Sequence, residues 1–325
     1  MRVAVDTTPL RLTGAGTARY LRNLLARIEL DHDVRRVAFG GAGKASVLAR
    51  ELAWYPFALG RLDGVDLLHC PTYYGPLRSR VPLVVTVLDL SVFRHPEAFP
   101  RWTRTAVPAL VPRVLRAARR ILAISEFTRA ELVEVLGVPR EKVAVVPLAV
   151  EPEVFHPDGE AAGGDYVLAV ATLEPRKNLA RLAEATRRLG VELRVVGAAG
   201  WGGVAVGGDG VRWVGRVGDE ELARLYRGAA VAAYPSLYEG FGFPILEAMA
   251  CGTPVVTSRG GSTAEVAGGA AVLVDPFDTA SIAAGIEEAR SFRDDLRARG
   301  LARAAEFSWE ETVRSTVEVY REASA

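Results

Sequence analysis

The chain is poor in cysteine and in lysine. Its 325 residues include only two cysteines, Cys70 and Cys251, which lie far apart in the sequence. A disulfide scaffold or a cysteine zinc site is therefore unsupported, and a reducing compartment is the simplest interpretation. The 40 basic residues include only three lysines, at 44, 142 and 177. A lysine within a candidate site is therefore a specific signal in this chain.

Long apolar runs and an excess of either charge are also lacking. No stretch approaches the roughly 18 apolar residues of a membrane span, and residues 1–6 read as a buried strand rather than as a signal peptide. The 40 basic and 39 acidic residues leave a formal net charge of +1, whereas nucleic-acid binding needs clustered basic excess. These features predict a cytoplasmic protein that does not bind nucleic acid.

Short apolar runs alternate with amphipathic segments along the whole chain. Several runs are rich in Val, Ile and Leu without clean alternation, which is typical of strands buried on both faces of a parallel sheet. Helical spacing of apolar residues predicts helices over Thr17–Ile28, Phe127–Leu136, Glu220–Arg227 and Pro276–Ala289, with Ser125 as the N-cap of the second. The predicted strands are Arg2–Asp6, Val34–Phe39, Asp66–His69, Leu83–Leu88, Ile121–Ile124, Val143–Val146, Tyr166–Val170, Glu192–Val196, Val211–Val214, Val231–Tyr234, Pro254–Thr257 and Ala271–Val274.

This alternation predicts an α/β fold of two doubly wound, Rossmann-like domains. The linker candidate is Glu151–Gly164, which is rich in Pro and Gly and has no apolar periodicity. We expect domains at 1–155 and 156–325, with the last helix packing back on the first. Doubly wound sheets bind ligands beyond the carboxyl ends of their strands, so a cleft between the two domains is the expected ligand site. The glycine-rich Trp201–Gly210 is predicted to be a loop.

Two short segments that follow strands could hold anions. Gly14–Thr17 opens a predicted helix, and its free backbone N–H groups suit an anion or a sugar hydroxyl, although an ordinary turn explains it equally well. Glu174–Asn178 places Arg176 beside Lys177 before another helix. An arginine fork and a compact ammonium group suit a diphosphate. A solvated turn is the alternative for such a pair taken alone.

The segment Tyr234–Glu247 carries the strongest signal. It leaves a strand, crosses a loop with Gly240 and Gly242, and opens a helix, with Glu239 on the loop and Glu247 inside the helix. Glycines let backbone N–H groups approach a ligand closely. Because one carboxylate lies on the loop and the other inside the helix, the two do not form a side-by-side acid–base pair, but each suits hydroxyl groups at opposite ends of one long ligand. The apolar neighbours of Glu247 predict burial, which is costly for a carboxylate without a partner.

These segments resemble the retaining, nucleotide-sugar-dependent glycosyltransferases of family four, which have the GT-B fold. Tyr238–Val256 is similar to the family signature, which has two Glu separated by seven residues. The second Glu opens the run Glu-Ala-Met-Ala-Cys-Gly-Thr-Pro-Val-Val. Glu174–Asn178 is similar to its donor-diphosphate motif. Ser125–Leu136 with Gly137–Pro139, and then Val145–Pro147, are similar to the end of its N-terminal domain. The resemblance covers nearly the whole chain. It implies a GT-B fold and sugar transfer from a nucleotide donor.

The resemblance implies a role for each matching residue. Arg176 and Lys177 would bind the donor diphosphate, and Glu239 would hold the donor sugar; these three are the implied catalytic residues. Glu247 would hold the ribose hydroxyls of the nucleotide, and backbone groups of the glycine loop would assist Glu239. The implied donor-binding positions are Gly16, Gly240, Phe241, Gly242 and Glu247.

The same resemblance implies no metal and no cofactor, because protein cations and helix N-termini stabilise the charge. The nucleotide sugar would be a co-substrate, and the acceptor would be a sugar, a lipid-linked glycan or a small molecule. A non-catalytic sugar- or nucleotide-binding subunit and a nucleotide-sugar epimerase of the same fold are the alternatives. Arg101–Arg120 is basic and amphipathic; weak peripheral contact with anionic lipid competes there with a solvated helix interrupted by Pro108 and Pro112.

Two positions depart from the family pattern. Thr172 stands near a place where the family usually has a further Arg, so Arg176 is expected to serve both purposes. Leu88 stands where many members have His near the C6 hydroxyl of the donor sugar. Because leucine cannot hydrogen-bond a hydroxyl, Leu88 favours a 6-deoxy sugar or a pentose, unless it is a core residue and His95 meets the hydroxyl. The candidate acceptor or sugar contacts are Leu88, Asp89, His69 and His95, with a structural role equally open for His69.

Overall fold

The computed structural model describes residues 1–12, 14, 16–200 and 207–325, with residue 44 described by its backbone only. The chain divides into two compact units. One comprises Met1–Leu148 together with Trp309–Ala325, and the other comprises Ala149–Ser308. The boundary predicted at residue 155 therefore lies a few residues inside the second unit. Each unit has its own sheet and its own apolar core, and each is described in turn.

The first unit is built on a six-stranded parallel sheet with the order β2-β1-β3-β4-β5-β6. Its strands are β1 (Arg2–Asp6), β2 (Asp33–Val37), β3 (Leu67–Cys70), β4 (Leu83–Val87), β5 (Arg120–Ala123) and β6 (Val143–Val145). Its helices before the linker are α1 (Pro9–Leu12), α2 (Gly16–Asp31), α3 (Lys44–Ala49), α4 (Ser91–Arg94), α5 (Arg101–Ala117) and α6 (Glu126–Leu136). A π-helical segment, Arg50–Ala58, continues α3.

Successive residues of β1 enter two different cores, because side chains alternate between the faces of a sheet. Val3 and Val5 pack on one face with Leu21 and Leu25 of α2. Ala4 packs on the other face, in the cluster that the π-helical segment, α5 and α6 cover. Burial on both faces explains why central strands such as β4 are almost continuously apolar.

The second unit repeats this plan with a six-stranded parallel sheet in the order β12-β11-β10-β7-β8-β9. Its strands are β7 (Tyr166–Val170), β8 (Glu192–Val196), β9 (Val211–Gly215), β10 (Val231–Tyr234), β11 (Val255–Ser258) and β12 (Val272–Val274). Its helices are α7 (Leu179–Leu189), α8 (Asp219–Gly228), α9 (Phe243–Ala250), α10 (Gly261–Ala267), α11 (Thr279–Ser291) and α12 (Arg293–Ala304). The chain order reverses between β7 and β10, and such a switch point is where doubly wound sheets bind ligands.

The last helix, α13 (Trp309–Ser324), belongs to the first unit and not to the second. Val317 and Tyr320 join the core on the α2 face of the first sheet. The hydroxyl of Thr312 donates a 2.7 Å hydrogen bond to the carbonyl of Pro147. The C-terminal segment thus returns to the sheet built by the first 148 residues.

The predicted strands and helices all appear, with shifts of a few residues at their ends. Ser125 caps α6 as predicted, since its hydroxyl accepts the N–H of Thr128. The expected interruption at Pro108 and Pro112 is wrong, because α5 runs through both prolines as one helix. Pro108 is exposed, and there the carbonyl that loses its helical donor can be solvated. The predicted loop at residues 201–210 falls largely outside the described residues.

None of the helices in the described part of the chain combines the length and the hydropathy needed to cross a bilayer.

Candidate functional site

The turn between β7 and α7 carries the Arg-Lys pair at the switch point of the second sheet. Pro175–Lys177 forms one 3₁₀ turn, and Asn178 ends it with a φ of 58°. Asn tolerates this left-handed conformation better than most residues. The amide Nδ2 of Asn178 donates to the carbonyls of Pro235 (3.0 Å) and Pro276 (2.6 Å). Asn178 therefore ties the turn to the loops that follow β10 and β12.

Arg176 and Lys177 both contact the carboxylate of Glu239. Arg176 Nη1 lies 2.9 Å from Glu239 Oε2, and Lys177 Nζ lies 2.5 Å from Glu239 Oε1. The other arm of the Arg176 guanidinium donates to Glu174 Oε1 at 2.8 Å. The backbone N–H of Leu237 donates to the carbonyl of Arg176 and fixes the turn against the glycine loop. Lys177 and Arg176 precede Glu239 by 62 and 63 positions, and the fold brings all three together.

Tyr234 completes this group of side chains, although no role for it was predicted from the sequence. It is the last residue of β10. Its hydroxyl donates to Glu239 Oε1 at 2.8 Å and accepts from Lys177 Nζ at 2.5 Å. The ammonium group also lies 5.0 Å from the centre of the Tyr234 ring. A tyrosine at the carboxyl end of a strand, directly before the glycine loop, was the available signal.

The group made of Glu174, Arg176, Lys177, Glu239 and Tyr234, named here the charge cluster, is largely buried. Burial tends to raise the pKa of Glu239, but Lys177 and Arg176 outweigh it and lower that pKa to about 2. Burial also raises the pKa of Tyr234 well above its usual range. Glu239 is therefore a carboxylate at neutral pH, and Tyr234 is a neutral hydroxyl. Two cations and two carboxylates balance in charge, so an incoming anion must compete with a carboxylate.

The glycine loop follows Glu239 of the charge cluster and leads into α9. Gly242 has a φ of 118°, and a Cβ added there would lie 3.1 Å from Ile245 Cδ1, so glycine is required for the turn into α9. The hydroxyl of Ser262 donates to the carbonyl of Glu239 at 2.8 Å and holds the start of the loop. Gly240 is buried. The Phe241 ring packs edge-on against Phe243 and Phe307, so its side chain is engaged inside the protein.

Glu247 contacts a different element from Glu239. It lies inside α9, is 4% exposed, and accepts a 2.8 Å hydrogen bond from the hydroxyl of Tyr226 on α8. The carboxylate that the sequence left without a known partner is therefore bonded by a buried tyrosine. Arg176, Lys177 and Glu239 are therefore in direct contact, whereas the side chain of Glu247 is held by Tyr226.

In the first unit, Gly16 begins α2, and its neighbour Ala15 lies outside the described residues. Leu88 follows β4 and is half-buried, and it is absent from the core clusters of the described residues. Asp89 Oδ1 accepts from the N–H (2.9 Å) and the hydroxyl (2.6 Å) of Ser91 and so caps α4. His95 is half-buried, with Nδ1 3.3 Å from Glu97 Oε1. These four residues lie at or beyond the carboxyl ends of β1 and β4.

His69 does not fit the acceptor contact considered for it. The residue is fully buried in β3. Its Nε2 hydrogen-bonds with the hydroxyl of Thr86 at 2.8 Å, and its Nδ1 with the hydroxyl of Tyr320 at 2.7 Å. Both ring nitrogens are therefore engaged inside the protein, and burial lowers the pKa of His69 to about 3. His69 is a structural residue that links β3 and β4 to the C-terminal helix.

No group of three or more His, Cys, Asp or Glu side chains arranged to hold a metal ion occurs within the described ranges. Metal independence remains a prediction.

Comparisons with known families agree with this arrangement. A family model described as glycosyltransferase family 4 matches residues 14–154, and one described as glycosyl transferases group 1 matches residues 164–291. The O-antigen chain mannosyltransferase B of Escherichia coli is 31% identical over 382 aligned positions, which cover 99% of this chain and 100% of that protein. The MMP alpha-(1->4)-mannosyltransferase of Mycolicibacterium hassiacum is 36% identical, with coverage of 82% of this chain and 72% of that protein.

Solved structures show the same fold at lower identity. Sucrose-phosphate synthase from Thermosynechococcus elongatus superposes with a TM-score of 0.76 and 20% identity, covering 99% of this chain and 98% of that one. HepE of Anabaena, in complex with UDP and glucose, gives 0.73 and 18%, covering 98% and 99%. WaaG, a glycosyltransferase involved in lipopolysaccharide biosynthesis, gives 0.73 and 14%, covering 98% and 99%.

The two parallel Rossmann-like sheets have the GT-B fold, and the matching family models make the chain a glycosyltransferase. The chain belongs to glycosyltransferase family 4.

Proposed function

We propose that the protein transfers a hexosyl group from a nucleoside-diphosphate sugar to a hydroxyl group of a sugar-containing acceptor, with retention of the anomeric configuration. The observation that carries this proposal is the charge cluster at the switch point of the second sheet. Arg176 and Lys177 present donors side by side there, next to the backbone of Gly240–Gly242 and the start of α9. A diphosphate fits such a combination of cations and a helix N-terminus.

The transfer reaction requires stabilisation of the negative charge that develops on the leaving group. The bond between the anomeric carbon and the diphosphate oxygen breaks, and the bond to the acceptor oxygen forms, while the acceptor proton passes to the departing diphosphate. Negative charge therefore grows on the diphosphate, where Arg176, Lys177 and the loop N–H groups would stabilise it. Glu239 and the glycine-loop backbone would hold the donor sugar, and Glu247 would hold the ribose. No metal or cofactor is part of this proposal, so turnover should survive excess EDTA.

A mannosyl group is the first candidate for the transferred sugar. The curated relatives at 31% and 36% identity are named as mannosyltransferases. The second candidate is a 6-deoxy sugar, and one observation favours it: Leu88 is partly exposed beyond the end of β4 instead of being buried in the core. A partly exposed leucine would contact a C6 methyl group favourably and leave a C6 hydroxyl without a partner.

Donor binding and turnover test the proposal in sequence. Nucleoside diphosphates are first screened for thermal stabilisation, because a ligand at about 100 times its Kd adds roughly 2.7 kcal/mol. The corresponding mannosyl and 6-deoxymannosyl donors are then incubated with a panel of mannose-containing acceptors, a lipid-linked glycan among them. Released nucleoside diphosphate measures the rate, and NMR of the product gives the anomeric configuration.

The rival functions predict different results in the same experiment. An epimerase would isomerise the donor sugar without any acceptor. A non-catalytic subunit would bind the nucleotide and release nothing with any acceptor. An inverted product would contradict retention while leaving glycosyl transfer intact. The proposal predicts acceptor-dependent release and a product with the anomeric configuration of the donor.

A further inference from the structure

The outer surface of residues 45–58 in the first unit is apolar. Every side chain exposed in this range belongs to Ala, Leu or Phe. Leu48 is 52% exposed, Leu52 is 50% exposed and Phe57 is 58% exposed. A surface helix normally turns polar side chains outward and apolar ones inward. The solvent-exposed side of this stretch therefore consists of side chains that have no favourable contact with water.

The three large side chains follow one line along the helix. Leu48 lies in α3, and Leu52 and Phe57 lie in the π-helical continuation, where hydrogen bonds span five residues and each turn takes more than four. Spacings of four and five residues therefore keep all three on one side. The opposite side is anchored, since the Trp54 ring stacks on Phe39 at 5.2 Å and the Tyr55 ring stacks on Tyr74 at 5.6 Å. The outward face is thus fixed by a packed inner face.

Trp102 extends this surface onto α5. Its indole N–H donates to the carboxylate of Glu51, and the side chain remains 47% exposed. Glu51 belongs to the π-helical segment, so this bond places the indole beside it. Leu48, Leu52, Phe57 and Trp102 are named here the apolar ridge.

Exposed arginines flank the apolar ridge. Arg61 follows Phe57 by about one helical turn, and the backbone of Arg78 packs against Gly60 beside it. Arg101 and Arg104 lie on the first turn of α5 with Trp102. All four are exposed, and within the described residues they form no ion pair with an acidic side chain. Some exposed arginines elsewhere, such as Arg299 and Arg314, bond a neighbouring Glu or Asp instead.

We propose that the apolar ridge rests on the surface of an anionic lipid bilayer. Leucine and phenylalanine would enter the boundary between headgroups and acyl chains, tryptophan would lie at the headgroup level, and the arginines would contact lipid phosphates. Charge distinguishes this partner from a second copy of the chain. A two-fold dimer through the ridge would set the same arginines of two copies against each other, whereas anionic headgroups complement them. The proposal does not depend on the donor or on the transfer reaction.

Co-sedimentation of the full chain with vesicles tests the proposal without any substrate. We expect binding to vesicles of phosphatidylcholine mixed with phosphatidylglycerol, and much weaker binding to phosphatidylcholine alone. The triple variant Leu48→Ser/Leu52→Ser/Phe57→Ser should lower partitioning by at least about tenfold. Arg101→Gln/Arg104→Gln should lower it by about 30-fold, from roughly 1 kcal/mol per arginine near an anionic surface.

Matched controls lie on the opposite face of the first sheet. Leu30 of α2 is 80% exposed, so Leu30→Ser removes a surface leucine away from the apolar ridge. Arg314→Gln/Arg321→Gln removes two exposed arginines from α13. Both controls should bind vesicles like the unaltered chain. Vesicles with brominated lipids should quench tryptophan fluorescence, and Trp102→Phe should remove that quenching.

Three results would overturn the proposal. One is the absence of binding to anionic vesicles at low salt. Another is equal partitioning of the ridge variants and the controls, which would assign binding to a different surface. The last is a homodimer in sedimentation velocity that the triple variant converts to monomer, which would make the apolar ridge an interface between copies. Circular dichroism and the thermal midpoint establish that each variant is folded before these comparisons are made.

Discussion

The carboxylate of Glu239 lies 2.5 Å from the ammonium group of Lys177, and the same carboxylate lies 2.9 Å from the guanidinium of Arg176. The two cations assigned to the donor diphosphate thus share one intramolecular acceptor. A diphosphate bound at these two cations would require the same N–H groups as Glu239. Donor binding would therefore be an exchange of acceptors, in which the diphosphate takes the cations and the carboxylate turns to the hydroxyls of the sugar.

This exchange predicts opposite effects for two conservative variants. Glu239→Gln removes the competing charge, so affinity for a nucleoside diphosphate should stay the same or rise by up to about tenfold, which is about 1.4 kcal/mol, while the transfer rate falls. Glu247→Gln leaves the two cations untouched and should weaken nucleotide binding. Calorimetric titration with the diphosphate measures affinity, and product release measures the rate. Equal losses of nucleotide affinity in both variants would contradict the two roles.

Leu88 predicts the preference for the sixth carbon of the donor sugar. Burying a hydroxyl against leucine without a partner costs about 1–3 kcal/mol, and a methyl group there gains about 0.8 kcal/mol. If the second candidate is the donor, kcat/KM for a 6-deoxymannosyl donor should exceed that for the mannosyl donor by about 10- to 500-fold. Leu88→His should shift that ratio towards the hydroxylated donor. A clear preference of the unaltered protein for mannose, unchanged by Leu88→His, would show that another residue meets C6.

His69 predicts a loss of stability in mild acid. Its pKa is about 3 in the folded chain because of burial, and about 6.5 when unfolded. The unfolded state therefore binds the extra proton between these values. The contribution of neutral His69 is fully present above about pH 6.5 and falls by about 1.4 kcal/mol per pH unit as the pH drops towards 3.

The thermal midpoint measured between about pH 7 and pH 4 checks this dependence. His69→Gln keeps a donor and an acceptor but cannot titrate, so its midpoint should change less with pH than that of the unaltered protein. His32→Gln, which alters a partly exposed histidine, is the matched control and should keep the full slope. Parallel curves for His69→Gln and the unaltered protein would assign the acid sensitivity to other groups.

Much of the fold could be predicted from local patterns. Apolar runs of the right length, separated by amphipathic segments, located all strands of both sheets, because strands buried on two faces have a distinctive composition. The arginine–lysine pair and the glycine loop were predicted to matter, and they meet because β7 and β10 are neighbours at the switch point. The observed ends of strands and helices differ from the predicted ends by a few residues, because terminal residues depend on capping and tertiary contacts that the apolar pattern does not contain.

The parts that were missed depend on contacts between distant residues. Asn178 clamps two loops, one of them 98 positions away along the chain, and no local pattern reveals such a bond. His69 lies beside Tyr320 although 251 positions separate them, so its burial could not be read from a strand end followed by proline. Pro108 and Pro112 suggested a broken helix, yet packing of α5 on the sheet keeps it continuous. Tertiary contact decided each of these cases.

The most direct test of the account is the affinity of one nucleoside diphosphate for Lys177→Ala, measured by titration calorimetry. The account predicts a loss of about 1.5–3 kcal/mol, or roughly 10- to 150-fold in Kd, because a charged hydrogen bond to the diphosphate is removed. Lys142→Ala is the control: its ammonium group contacts the carbonyl of Arg116 in the first unit, so the Kd should not change. Circular dichroism must show both variants folded. An unchanged Kd for folded Lys177→Ala would contradict the assignment of the charge cluster to the donor.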